Sequence, residues 1–289
     1  MTQKVIIIGA PRSGTNMLRD TLTSFPGVAT WPCDEINYIW RHGNLRYPSD
    51  EFPADLATPK VVNYIGRRFD DIARVTAAKA LIEKTCANSL RVDFVDRVVE
   101  DARYIYIRRS GIDVVASAQI RWKAPVDIPY LYKKSRFVPL SDLPFYAWRY
   151  LGHQLHRLTS AERRLGAWGP QINGMSDLLA RHSLLQVCAI QWQRCVDAAD
   201  QAFEKMPTEK YLELSYEEFV RSPVDQLENV LQFLNIASDR QQLESATKNI
   251  NAESVGKGSA QLGSATVEDL LPFLGAPLDR YGYGINNNQ

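Results

Sequence analysis

The feature that most constrains the fold is a run of β-branched residues, Val5-Ile6-Ile7-Ile8, that passes through Gly9-Ala10-Pro11-Arg12-Ser13-Gly14-Thr15-Asn16 into a helical pattern. A run with no polar face predicts a strand covered on both sides, as in a parallel sheet wrapped by helices. A glycine-rich turn from such a strand into a helix N-terminus directs several free N–H groups and the positive end of the helix dipole to one point. Residues 11–16 are therefore expected to hold an anion, a phosphate above all.

The rest of the chain keeps the alternation. Ala80-Leu81-Ile82 and Tyr104-Ile105-Tyr106-Ile107 read as further strands, and Tyr211-Leu212-Glu213-Leu214 as a weaker one. Helical patterns run over Thr15 to Phe25, Leu90 to Glu100, Asp113 to Trp122 and Tyr216 to Leu234. The expected class is α/β, a central parallel sheet flanked by helices with a P-loop-like strand-loop-helix. Residues 123–181 break the rhythm with Pro125, Pro129, Pro139, Pro144, Pro170 and many aromatics. They read as an insertion of helices and loops over the acceptor side, because ligands of open α/β sheets bind beyond the carboxyl ends of the strands. At 289 residues and 45% hydrophobic content, one domain over 1–289 accommodates all of this.

Lys and Arg number 34 against 33 Asp and Glu, so no overall basic field exists and a nucleic-acid partner is not expected. Any anion site must be local. The four cysteines contain no C-x-x-C pair, and Cys188 and Cys195, seven residues apart, fall on one helix face as two buried thiols. The first apolar run is too short for a signal segment and no stretch reaches membrane-spanning length, which predicts a cytoplasmic protein with no membrane span. The sequence implies no oligomeric state.

A nucleotide-triphosphate loop would place Lys-Ser or Lys-Thr after its second glycine, for the β- and γ-phosphates and Mg²⁺. Here Thr15-Asn16 follows Gly14, and the basic residue, Arg12, lies inside the loop. No G-x-G precedes the helix, so the dinucleotide fingerprint is absent as well.

Pro11-Arg12-Ser13-Gly14-Thr15 resembles the 5′-phosphosulfate loop of the sulfotransferases that use 3′-phosphoadenylyl sulfate (PAPS). Downstream, Tyr106-Ile107-Arg108-Arg109-Ser110-Gly111-Ile112-Asp113 leading to Ser117 resembles that family's 3′-phosphate motif and implies Arg109 and Ser117 as ligands. Arg supplies a planar fork for phosphate oxygens, and a hydroxyl early in a helix adds a donor. Arg108 competes from one residue out of register, and Asp113 reads as a cap or an Arg partner. The likeness extends to Ile82-Glu83-Lys84-Thr85 with Asn88, Arg91 and Phe94, to Leu214-Ser215-Tyr216-Glu217-Glu218-Phe219 with Pro223, to Ser254-Val255-Gly256-Lys257 and to Leu278–Tyr283. It implies that Tyr216 and Lys257 join Pro11, Arg12, Ser13, Gly14, Thr15 and Asn16 in binding the co-substrate.

The resemblance implies in-line transfer of a sulfuryl group from PAPS to an acceptor hydroxyl, releasing 3′-phosphoadenosine 5′-phosphate (PAP), without a metal. Arg12 would neutralise the bridging and sulfuryl oxygens. Likeness of the Trp31-Pro32-Cys33-Asp34-Glu35 segment to the tyrosylprotein branch implies Glu35 as the general base. Asp34, standing where that branch has Gly, competes with it, and His42 is the third candidate. The expected acceptor is a glycan or glycan precursor first and a small secondary metabolite second, with Trp31, Tyr38, Trp40, Tyr130, Tyr132, Phe137, Phe145, Tyr146 and Trp148 available to stack on it. A nucleotide-type kinase or a non-catalytic anion-binding module are the rival classes. A kinase would need a loop Lys and Mg²⁺ ligands.

Overall fold

The structure, a computed structural model, describes residues 2–124, 136–146 and 168–283. Its strands are β1 (Gln3–Ile8), β2 (Val28–Thr30), β3 (Ala80–Lys84), β4 (Arg103–Arg108) and β5 (Tyr211–Ser215). They form one sheet in the order β2-β3-β1-β4-β5, every neighbouring pair parallel. The β-branched run therefore becomes the central strand.

Side chains of β1 alternate between two covered faces. Ile6 and Ile8 join Leu81, Tyr104 and Tyr106 in a core beneath helices α3 (Pro59–Thr76), α4 (Val92–Val98) and part of α7 (Leu184–Phe203). Val5 and Ile7 face the opposite side with Ile82, Ile105, Ile107 and Leu214, beneath α1 (Thr15–Leu22), α8 (Tyr216–Arg221) and α9 (Pro223–Phe233). A third core lies between α5 (Gly111–Lys123), α7 and the C-terminal helices Ser264–Leu274 and Ala276–Arg280. Cys188 and Cys195 are buried there, and burial pushes both thiols up to about 12.

The sequence pattern and the structure differ at several places, the long helices α3 and α7 among them, which the sequence reading did not name. β2 was invisible to the pattern because it is three half-buried residues at the sheet edge. The helix read over Tyr216 to Leu234 is two helices, α8 and α9, divided at Ser222, because Pro223 carries no N–H and instead opens the second one at its first turn. α5 begins at Gly111, so Asp113 lies in its first turn.

Of the stretch 123–181, residues 125–135 and 147–167 lie outside the described residues, and with them Pro125, Pro129, Tyr130, Tyr132, Trp148, His153 and His156. The described remainder packs against the segment 36–52. Phe137, Val138 and Tyr146 border the first core. Asp142 Oδ2 accepts from His42 Nδ1 across 2.8 Å. The Asp50 N–H donates to the Gln171 carbonyl, and the Asp50 carboxylate accepts the Gln171 N–H in return. The aromatic residues Trp31, Tyr38 and Trp40, read as available for stacking, are instead buried in the first core, Trp31 and Trp40 edge-on to Phe69. Their apolar surface is satisfied by the fold itself.

Candidate active site

The loop between β1 and α1 is set by two left-handed residues, Arg12 at φ 72° and Gly14 at φ 89°. Gly14 caps α1 and lies flat against Tyr216, where a Cβ would come within 2.5 Å of the ring. At Gly9 a Cβ would meet the Ile107 carbonyl oxygen at 2.7 Å, so the loop is pressed onto β4 as well. Inside it, Ser13 is buried and its Oγ has no hydrogen-bond partner among the described residues. A buried hydroxyl without a partner costs free energy unless something fills the cradle, and an anion's oxygen is the fitting complement.

The two basic motifs converge. Arg12 Nε donates to Ser117 Oγ at 2.9 Å, and Arg109 donates to the Arg12 carbonyl at 3.0 Å and to the Ser254 carbonyl at 2.9 Å. Arg109 also stacks 4.2 Å over the Tyr216 ring, whose hydroxyl meets Ser254 Oγ at 2.5 Å. Arg108 turns the other way, to Glu213 at 2.7 Å. Asp113 ties the C-terminal segment to this corner, accepting from the Gly256 and Gly258 N–H groups at 2.9 and 2.6 Å. Burial lowers the pKa of Arg12, and the like charges of Arg121 and Arg109 lower it further. Three arginines gathered around one partner, Asp113 at 3.9 Å from Arg109, favour an anionic ligand.

Sequence reading missed Arg121, which shares a helix face with Asp113 and Ser117 at four-residue spacing. Lys257 is exposed and pairs with Glu253 at 3.8 Å, so the C-terminal segment reaches the site through its backbone at Gly256 and Gly258 rather than through that ammonium. Asn16 is exposed in the first turn of α1, and Thr15 Oγ1 lies 3.7 Å from Cys86 Sγ.

The candidate bases meet a second residue that sequence reading left without a role, Lys84. Its buried ammonium reaches Glu35 Oε1 at 3.1 Å and Asp34 Oδ1 at 3.4 Å. Burial works against the Lys84 charge, but Cys86, Glu35 and Asp34 outweigh it and its pKa is raised. Glu35 also receives the Cys86 N–H at 3.5 Å, and Cys86 in turn touches Thr15 of the phosphate loop. Asp34 is bound by Arg19 of α1 as well. Burial would raise its pKa, yet Lys84 and Arg19 hold it below the usual carboxylate range. His42 stands apart, stacked on Tyr64 at 3.9 Å and bonded to Asp142. Its Nδ1 is engaged in anchoring residues 136–146.

The site thus joins a loop after the first strand of a parallel α/β sheet to an arginine after β4. The profile of the Sulfotransferase family matches residues 4–169 and 155–240. The chain belongs to the sulfotransferase family. Among solved structures, the sulfotransferase domain from the olefin synthase of Synechococcus PCC 7002 is 16% identical, with a TM-score of 0.52 over 98% of this chain and 96% of that one. Sulfotransferase STF9 from Mycobacterium avium is 13% identical, with a TM-score of 0.53 over 96% and 76%. The sulfotransferase domain from the curacin biosynthetic pathway is 14% identical, with a TM-score of 0.51 over 88% and 83%. These likenesses establish the fold. No curated protein sequence matches the chain. Among the described residues no helix is long and apolar enough to cross a membrane.

Proposed function

We propose that this sulfotransferase takes its sulfuryl group from PAPS and passes it to an acceptor hydroxyl with Glu35 as base. The observation that carries the reading is the joining of the two basic motifs, with Arg12 of the loop bonded to Ser117 and Arg109 bonded to the backbone of Arg12. A donor bearing phosphates at both its 3′ and 5′ positions needs two anchors held in fixed relation. A kinase-type loop would place its cation after the second glycine, and here Thr15 stands there.

When bound, PAPS would supply an activated sulfuryl group whose leaving group is a phosphate. Residues 12–15 would hold the 5′ end through loop N–H groups and the unpartnered Ser13 hydroxyl. Arg109, Ser117 and Arg121 would hold the 3′ phosphate, with Tyr216 packing beside them. Arg12 contributes fixed positive charge where negative charge grows on the leaving oxygen. Glu35 accepts the proton of the acceptor hydroxyl, and Lys84, 3.1 Å from it, orients its carboxylate. Asp34, held from both sides by Arg19 and Lys84, orients that lysine instead.

A hydroxyl of a glycan or glycan precursor is the proposed acceptor, with a small secondary metabolite as the second class. Incubation with ³⁵S-labelled PAPS and separate panels of glycans and small metabolites tests both halves. Label transferred to a glycan with matching release of PAP supports the reading. Transfer only to small metabolites moves the acceptor to the second class, and no transfer from PAPS to any acceptor overturns the donor assignment.

A further inference from the structure

Behind Glu35 runs a chain of buried polar groups that the transfer chemistry does not use. Glu83, Thr85, Asn88, Arg91 and Asp50 are each almost wholly buried. At one end Arg91 donates from Nε and Nη2 to Asn88 Oδ1, at 3.0 and 2.8 Å. Asn88 Nδ2 then donates to Glu83 Oε2 at 3.0 Å. At the other end the Ile36 N–H donates to Thr85 Oγ1 at 3.1 Å, and the Thr85 hydroxyl donates to Glu83 Oε1 at 2.5 Å. Arg91 also donates to Asn37 Oδ1 at 2.6 Å. Residues 36 and 37, directly after Glu35, are thus both fastened to this chain.

The hydrogen bonds converge on Glu83. The Arg91 guanidinium can only donate, so Asn88 Oδ1 is its acceptor and the Asn88 amide N–H faces Glu83 Oε2, while the Thr85 hydroxyl, accepting from the Ile36 N–H, donates to Oε1. The ionised carboxylate accepts both bonds at once, whereas protonation on Oε1 turns the Thr85 contact round. The buried position is otherwise a poor one for a charge.

We infer that Glu83 is a positioning residue for the transfer reaction, its carboxylate holding residues 36–37 through Thr85 and Asn88–Arg91 and thereby setting where Glu35 meets the acceptor hydroxyl. The groups facing Glu83 are Lys84 and Thr85 beside it, Glu35 across from it and Arg91 at the start of α4. Burial pushes the Glu83 carboxyl up to about 7 with a further rise from Glu35, against the opposing Thr85 hydrogen bond and Lys84 charge. The positioning charge is accordingly lost within the ordinary working range of pH, where Asp34 and Asp50, both held below their usual values, remain ionised.

The inference rests on Glu35 being the base, and the test separates the two. Turnover, acceptor KM and PAP affinity are measured across pH for Glu83→Gln, Thr85→Val, Thr85→Ser and Glu35→Gln. Expected are a fall in kcat of about ten- to a hundredfold in Glu83→Gln and Thr85→Val with PAP affinity unchanged, recovery in Thr85→Ser, and loss of the acidic limb near pH 7 in Glu83→Gln. Thr85→Val cuts the same link without touching the buried charge, so it decides the matter should Glu83→Gln fail to fold. Wild-type kcat and pH profile in Thr85→Val, with Glu35→Gln inactive, overturn the positioning role and leave the base intact. Full turnover in Glu35→Gln overturns the base assignment itself and the inference with it.

Discussion

Arg12 Nε and Ser117 Oγ, 105 residues apart in the chain, are 2.9 Å apart in the fold. The bond joins the loop after the first strand to the helix after the fourth, so the two proposed phosphate anchors form one surface. Removing the 3′ phosphate from the nucleotide should therefore remove half of the grip. PAP is expected to bind at least a hundredfold more tightly than adenosine 5′-phosphate, since each charge-assisted hydrogen bond contributes about 1.5 to 3 kcal/mol. Ser117→Ala should narrow that ratio without changing the affinity for adenosine 5′-phosphate. Equal affinities of the wild type for the two nucleotides in calorimetry would remove the second anchor.

Arg12→Ala should slow transfer more than it weakens PAP binding. In the proposed reaction its charge would face oxygens that become more negative as the sulfuryl bridge breaks, and loss of one such contact commonly lowers the rate about a hundredfold or more. Single-turnover rates at saturating PAPS, set beside PAP titrations, check the split. A variant with normal turnover and impaired affinity would make Arg12 a binding residue alone.

Glu35 and Asp34 share Lys84 but differ in their other partners, and this predicts a clean contrast. Glu35→Gln should cut turnover by roughly 10²- to 10⁴-fold with PAP affinity retained. Asp34→Asn loosens Arg19 and Lys84 and should lower kcat by no more than about tenfold. If Asp34→Asn is the inactive variant and Glu35→Gln the active one, the base is one residue earlier. His42→Ala should act through the docking of residues 136–146, raising acceptor KM while kcat stays within a few-fold.

Asp50 lies between Arg41 and Arg91, 2.8 and 3.5 Å away, with the Gln171 N–H on its other oxygen. Asp50→Asn leaves two buried guanidinium groups short of a counter-charge, a change that typically destabilises by about 3 to 5 kcal/mol. Thermal or urea unfolding measures it. A loss below 1 kcal/mol would show that the clamp is not needed for stability.

Stability should also fall as pH rises between 4.5 and about 7. The folded Glu83 carboxyl titrates at about 7 against 4.5 in the unfolded chain, so the folded state binds the extra proton in that window. Its contribution is complete below pH 4.5 and lost through pH 7, and is on the order of 3 kcal/mol. Asp34 and Asp50 act with the opposite sign and in a lower window, their support being lost as pH falls below the usual carboxylate range. Urea midpoints measured from pH 4 to 8 should show a downward slope that Glu83→Gln flattens. An unchanged slope in that variant would assign it to other groups.

Much of the site was legible in the sequence because it is built from short-range signals. Strand, glycine turn and helix follow one another over residues 5–22, and the same local grammar recurs at residues 104–117. The ends of parallel strands fall on one side of the sheet, so motifs at two strand ends had to become neighbours. Lys84 stood at a third such end, yet nothing local distinguishes a strand-end lysine that faces solvent from one buried between two carboxylates. The residue Lys257 shows the converse, a family-like segment whose contribution is made by backbone N–H groups that carry no sequence signature.

What the sequence determined by itself is the α/β class, the covered central strand, the place of the anion loop and the pair of basic motifs, all of which follow from periodicity and turn chemistry within a few residues. Tertiary structure alone decided the rest. It turned Arg109 rather than Arg108 toward the loop, buried Trp31 and Trp40 in the core, bound His42 to Asp142 and gathered Glu35, Lys84, Thr85 and Glu83 beside one another. The physical reason is that side-chain orientation at a strand end and the donor or acceptor role of a buried polar group depend on neighbours contributed from tens of residues away. Those neighbours exist only once the sheet has closed the chain upon itself.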